Sequence, residues 1–154
     1  MGPRIPDANE LIPEIRDVAN AVVKVAGNGS VPTTTIGLIY LRAGQIFGNT
    51  YQVIRNSVDL RAAGESEERI ACVAAWWDAP YFTDAERAAL RLTEAVFQPP
   101  ARGEERVPDD VFAEAAKHYD DKALSTLMVV LASASFWMTI AVVLKPPPVG
   151  QPAE

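Results

Sequence analysis

The chain has 154 residues, of which 49% are apolar and 22% charged, with a net charge of −6. That is the size and composition of one globular domain and excludes a disordered chain; the absence of any basic cluster excludes a nucleic-acid partner. A single cysteine, Cys72, and a single histidine, His118, exclude an intramolecular disulfide, a Cys-rich metal site and a cluster of His ligands, and no metal or cofactor is expected.

The patterns along the chain are helical throughout, with no sustained strand-type alternation and no internal repeat. The spacing predicts a first helix over about Ala8 to Val25, ending at Gly27, with Pro13 tolerated near its first turn. A second helix starts near Thr33 and runs to about Phe47, where Gly48 interrupts it. A third covers Thr50 to Ala63 and stops at Gly64. A short helix from Glu67 to about Ala75 has Ser66 as its N-cap. Thr83-Asp84-Ala85-Glu86 is a capping-box pattern that opens a helix from Ala85 to Phe97. After a Pro-rich loop, Pro108 opens a helix to about Tyr119. The segment Ala123 to Leu144 carries no charge and approaches the length of a membrane span. Its serines and threonines, in an otherwise amphipathic chain, favour a helix buried in a core or a subunit interface. The N-terminus has no basic-then-apolar signal pattern, so the expected location is the cytoplasm, away from membranes. The expected architecture is an all-α single-domain bundle of six to eight helices over residues 1–147, followed by a disordered Pro-rich tail at 148–154.

The segment most informative about function is Leu41 to Asn56. Asn49, Gln52 and Asn56 recur at helical spacing and share one face. Their amides do not titrate near neutral pH and are not redox nucleophiles. Asn49 after Gly48 is a good N-cap, and Asn-x-x-Gln resembles a capping box, a helix-terminal role worth about 1 kcal/mol. Capping does not explain Asn56, one turn further on. Arg42 and Gln45 lie just before the helix break. Tyr51 and Arg55 are one turn apart on a neighbouring stripe, with Asp59 placed to pair with Arg55 at i, i+4.

The strings Leu41–Gly48 (LRAGQIFG), Asp59–Glu65 (DLRAAGE), Trp76–Thr83 (WWDAPYFT), Glu86–Leu90 (ERAAL) and Ser135–Val142 (SFWMTIAV) resemble the carboxymuconolactone decarboxylase and alkylhydroperoxidase D-like superfamily. The resemblance covers roughly Glu10 to Pro147. It implies an all-α fold assembled as a homotrimer or homohexamer, with a small-molecule site between helices and the last helix buried within the assembly. Peroxidase members carry a Glu, a Cys-x-x-Cys pair and a His. Those places fall on Gly37, Asn49, Gln52 and Asn56 here, so every reactive group is missing. The decarboxylase branch keeps a His where this chain has Asn56. A thiolate attacks peroxide and an amide does not.

The chain therefore reads as a divergent member that is not a thiol peroxidase. Its expected activity is isomerisation, cyclisation, elimination or decarboxylation of an activated carbonyl-type metabolite in an amide-lined pocket. Tyr51, Asn56 and Arg42 are the catalytic candidates; Gln45, Asn49 and Gln52 are the substrate-binding candidates. Glu94 is a further candidate for proton transfer, with packing as its other role. The alternative is a non-catalytic binding or assembly protein that kept the fold. Cys72 and His118 read as structural.

Overall fold

The computed structural model describes residues 3–6 and 8–147. Among the described residues the chain is all-helical. Helices α1 (Ala8–Leu11), α2 (Glu14–Ala26), α3 (Thr33–Phe47) and α4 (Thr50–Ala62) come first. They are followed by α5 (Glu67–Cys72) with a 3₁₀ turn over Val73–Ala75, then α6 (Asp84–Phe97), α7 (Asp109–Ala116) and α8 (Asp121–Leu144). The tail at 148–154 lies outside the described residues.

Local signals set most boundaries. Ser66 accepts from the Arg69 backbone N–H and caps α5. Thr83 and Glu86 form both halves of a capping box at α6. Asp120 accepts from the Ala123 N–H and caps α8. Three boundaries depart from expectation: α5 gives way to a 3₁₀ turn after Cys72, α7 ends at Ala116 rather than near Tyr119, and the first helix is two helices. Pro13, which lacks an N–H, sits at the N-cap of α2 rather than within a first turn. The Ile12 N–H closes α1 on the Ala8 carbonyl.

Helix α3 is the centre of the bundle and packs against α4, α6 and α8. Its buried residues divide by spacing. Ile36 and Ile39 enter one core cluster, with Leu127 and Val130 of α8 and Ala115 of α7. Leu38 and Leu41 enter the other, with Leu60, Val73, Trp76 and Leu90. The helix that reads as apolar all round is α8, yet α3 is the one surrounded. By length and composition α8 could cross a membrane. In the fold it buries a stripe that includes Leu127, Val130, Ala134, Met138 and Ala141, and it leaves Met128, Phe136, Val142 and Val143 exposed.

Candidate functional site

The site is built on the α3–α4 hairpin and the facing turn of α6. Helix α3 ends at Gly48, whose left-handed backbone (φ 65°, ψ 31°) reverses the chain. The Asn49 N–H returns to the Gly44 carbonyl at 3.0 Å. Asn49 Oδ1 then accepts from the Gln52 backbone N–H at 2.9 Å and starts α4. The two helices run back so closely that a Cβ on Gly44 would lie 3.3 Å from the Val53 nitrogen and 3.4 Å from Gln52 Cβ. The capping-box expectation holds in its first half only: the Asn49 side chain caps, but its own N–H is taken by Gly44 rather than by the Gln52 side chain.

Gln52 and Asn56 are both buried on the inner face of α4, as their spacing requires. Asn56 Nδ2 donates to the Gln52 carbonyl at 2.8 Å. A local role therefore exists for the residue that capping left unexplained: it back-bonds to its own helix. No hydrogen-bond partner for the Gln52 side-chain amide is found among the described residues.

On the adjacent face of α3, Arg42 reaches α6. Its Nε donates to Glu94 Oε1 at 2.9 Å, and its Nη2 lies 2.6 Å from the same oxygen. Arg42 Nη1 donates to Gln45 Oε1 at 3.3 Å. The Trp76 indole Nε1 donates to Glu94 Oε1 at 2.9 Å. The Arg42 guanidinium also stands over the Trp77 ring, 5.9 Å from its centroid. The side chains of Arg42 and Glu94 are only 10% and 19% exposed. Such a sheltered ion pair is a costly arrangement for stability alone, because desolvation offsets much of the attraction. Arg42 Nε and Nη2 and the Trp76 indole converge on Glu94 Oε1, and Glu94 Oε2 has no hydrogen bond among the described residues. Arg42 and Gln45 are thus joined in one polar cluster with Glu94. Trp76, which in the sequence stands only within a family-like string, belongs to it as well; its signal is an indole N–H that must find an acceptor once buried.

Tyr51 lies elsewhere. Its hydroxyl accepts from Arg55 Nη1 at 3.3 Å, and with Arg55, Val58 and Asp59 it lines a cavity of about 280 Å³ on the outward stripe of α4. Arg55 Nε stands 4.0 Å from Asp59 Oδ2, the expected i, i+4 pair. A larger, apolar groove of about 600 Å³ runs between α6, α7 and α8, lined by residues such as Leu92, Phe112 and Met128. Neither of these two cavities includes Asn49, Gln52 or Asn56. Cys72 is half-buried against the second core cluster. His118 Nε2 lies 3.5 Å from Glu114 Oε1, one turn back along the chain.

Residues 13–95 match the Carboxymuconolactone decarboxylase family. An uncharacterised protein of Bacillus subtilis (strain 168), YdfG, is 29% identical over 135 residues, which is 88% of this chain and 90% of the relative. Among solved structures, one is a protein of unknown function from Agrobacterium tumefaciens, described as a candidate antioxidant defence protein AhpD. It superposes with a TM-score of 0.85 at 27% identity, over 97% of this chain and 99% of the other. A Cys-to-Ala variant of the debrominase Bmp8 in complex with 2,3,4-tribromopyrrole superposes with a TM-score of 0.79 at 17% identity, over 92% of this chain and 74% of the other. That last likeness is one of fold.

Proposed function

The chain belongs to the carboxymuconolactone decarboxylase family, and on that premise we propose that it is a non-redox enzyme. Its substrate is an activated carbonyl-type metabolite, and the reaction is isomerisation, cyclisation, elimination or decarboxylation. The observation that carries this reading is the sheltered Arg42–Glu94 pair with its free Glu94 Oε2. If Glu94 Oε2 takes a proton from carbon or oxygen, the Arg42 charge loses its counter-ion at the same moment. The guanidinium then favours negative charge developing on a nearby substrate oxygen. The amides of Gln45 and Gln52 supply further donors that carry no proton away. Asn49 and Asn56 hold the α4 start on which Gln52 stands. Tyr51, on the outward stripe, has no part in this scheme.

Thiol chemistry is set aside on composition. The positions matched to a Cys pair are Asn49 and Gln52, and Cys72 is the sequence's one cysteine. The same proposal includes a homotrimeric or homohexameric assembly, for which the exposed apolar residues of α8 offer a contact face, and a cytoplasmic location.

A second reading is a non-catalytic binder. It is favoured by the local use of Asn49 and Asn56 within α4. Native mass spectrometry of the purified protein separates the two. The molecule that co-purifies is incubated with wild type and with Glu94→Gln. Conversion by wild type and a loss of about a hundredfold or more in the variant supports the enzyme; a ligand bound and returned unchanged by both supports the binder.

A further inference from the structure

The geometry points to Arg87 as a positioning residue for the candidate site, acting through Trp76 and Trp77. This rests on the role proposed for Arg42 and Glu94. Arg87 and Glu94 lie seven residues apart on α6, two helical turns, and so share a face. Arg87 is half-buried, and no carboxylate pairs with it among the described residues. All three of its guanidinium nitrogens donate to main-chain carbonyls of one turn. Nη1 reaches Trp76 O at 3.0 Å and Trp77 O at 3.3 Å, Nε reaches Phe82 O at 3.2 Å, and Nη2 bonds Ala79 O.

Helix α6 therefore holds Trp76 at two points: Arg87 takes its carbonyl and Glu94 takes its indole N–H at 2.9 Å. The neighbouring Trp77, whose carbonyl Arg87 also takes, presents its ring to Arg42. The turn over residues 76–82 has little regular hydrogen bonding of its own, with Asp78 N and Ala79 N both returning to Ala75 O. A planar fork of five donors can close such a turn, whereas a lysine ammonium at the same place cannot span its carbonyls. Arg87 thus sets where the Trp76 donor and the Trp77 ring stand relative to the Arg42–Glu94 pair, without touching either member of it.

The test reads the three tryptophan indole N–H resonances of the ¹⁵N-labelled full chain, assigned with Trp76→Phe and Trp77→Phe. In Arg87→Gln the Trp76 indole resonance should shift and its hydrogen exchange accelerate about tenfold or more, the scale expected when charge-assisted hydrogen bonds closing a turn are lost. Trp137 on α8 and the far-UV helicity should stay unchanged. Arg87→Lys, which keeps the charge and the alkyl stem, should fail to restore Trp76. An unmoved Trp76 in folded Arg87→Gln overturns the inference. So does equal acceleration of all three indoles, or unfolding of both variants, because each would make Arg87 a support of the whole fold. The readout needs no turnover. An altered Trp76 alongside wild-type turnover in Glu94→Gln would sink the site reading and leave the positioning role standing.

Discussion

A Cβ placed on Gly37 would lie 2.7 Å from Leu60 Cδ2. Gly37 is where the resemblance puts the peroxidase glutamate, and the facing volume is filled by a leucine that is 2% exposed. At this place α3 and α4 meet over an apolar contact that leaves no room for a side chain. Gly37→Ala should destabilise the protein, since overpacking of about 1–3 kcal/mol exceeds the helix-propensity gain of roughly 1 kcal/mol. In a Leu60→Ala background the same substitution should become stabilising. Urea melts of the four proteins in this cycle would decide it, and additive effects would refute the contact.

The Arg42–Glu94 pair makes a second prediction. Glu94→Ala leaves a guanidinium sheltered without its counter-ion. Partners lost from buried pairs cost about 3–5 kcal/mol, and partial exposure of Glu94 places the expected loss at the lower end or somewhat below. Glu94→Gln keeps an acceptor for Trp76 and should cost less. Equal melting temperatures for Glu94→Ala and wild type would show the pair to be energetically idle.

Asn49 tests the cap by itself. Asn49→Ala removes the acceptor for the Gln52 N–H and should cost about 1 kcal/mol. Asn49→Asp should be neutral or stabilising, because a carboxylate both caps and meets the positive end of the α4 dipole. A destabilised Asp variant would point to a role for the amide nitrogen instead.

Acid sensitivity should centre on Glu86. Burial alone would raise its carboxyl, but hydrogen bonds from Arg69 and the Thr83 N–H, together with the Arg69 charge, outweigh burial and hold it below its ordinary value of 4.5. A carboxyl depressed in the folded state contributes stability that is fully present above pH 4.5 and is lost as pH falls through the folded value. Tyr119 acts at the other end. Burial and the Glu86 charge push its phenol up to about 12 from 10.0, so its contribution is present below pH 10 and is lost as pH rises toward 12. Melting temperature against pH should show both flanks. Glu86→Gln should flatten the acid flank and Tyr119→Phe the alkaline one.

The exposed apolar stripe of α8 predicts assembly. Light scattering should report three or six times the 16.7 kDa chain mass, and Met128→Lys, at a residue 65% exposed, should lower it. A wild-type monomer at micromolar concentration would contradict the proposed oligomer.

Residue order along the chain dictates only local features. Gly48, Asn49, Ser66, Thr83 and Glu86 fix helix ends because capping joins residues two to four apart, and the 52–56–60 spacing fixes the inner face of α4 because helical geometry does. Pro13 is ambiguous locally, since the rules for proline permit either a first turn or a break, and the fold takes the break. Which polar groups meet is a matter of packing between distant segments. Arg42 and Glu94 are 52 positions apart, and Trp76 reaches the same oxygen from a third segment. No spacing rule joins them, because their meeting depends on how α3, α6 and the 76–82 turn pack. The same packing turns Tyr51 outward and fills the space at Gly37 with Leu60.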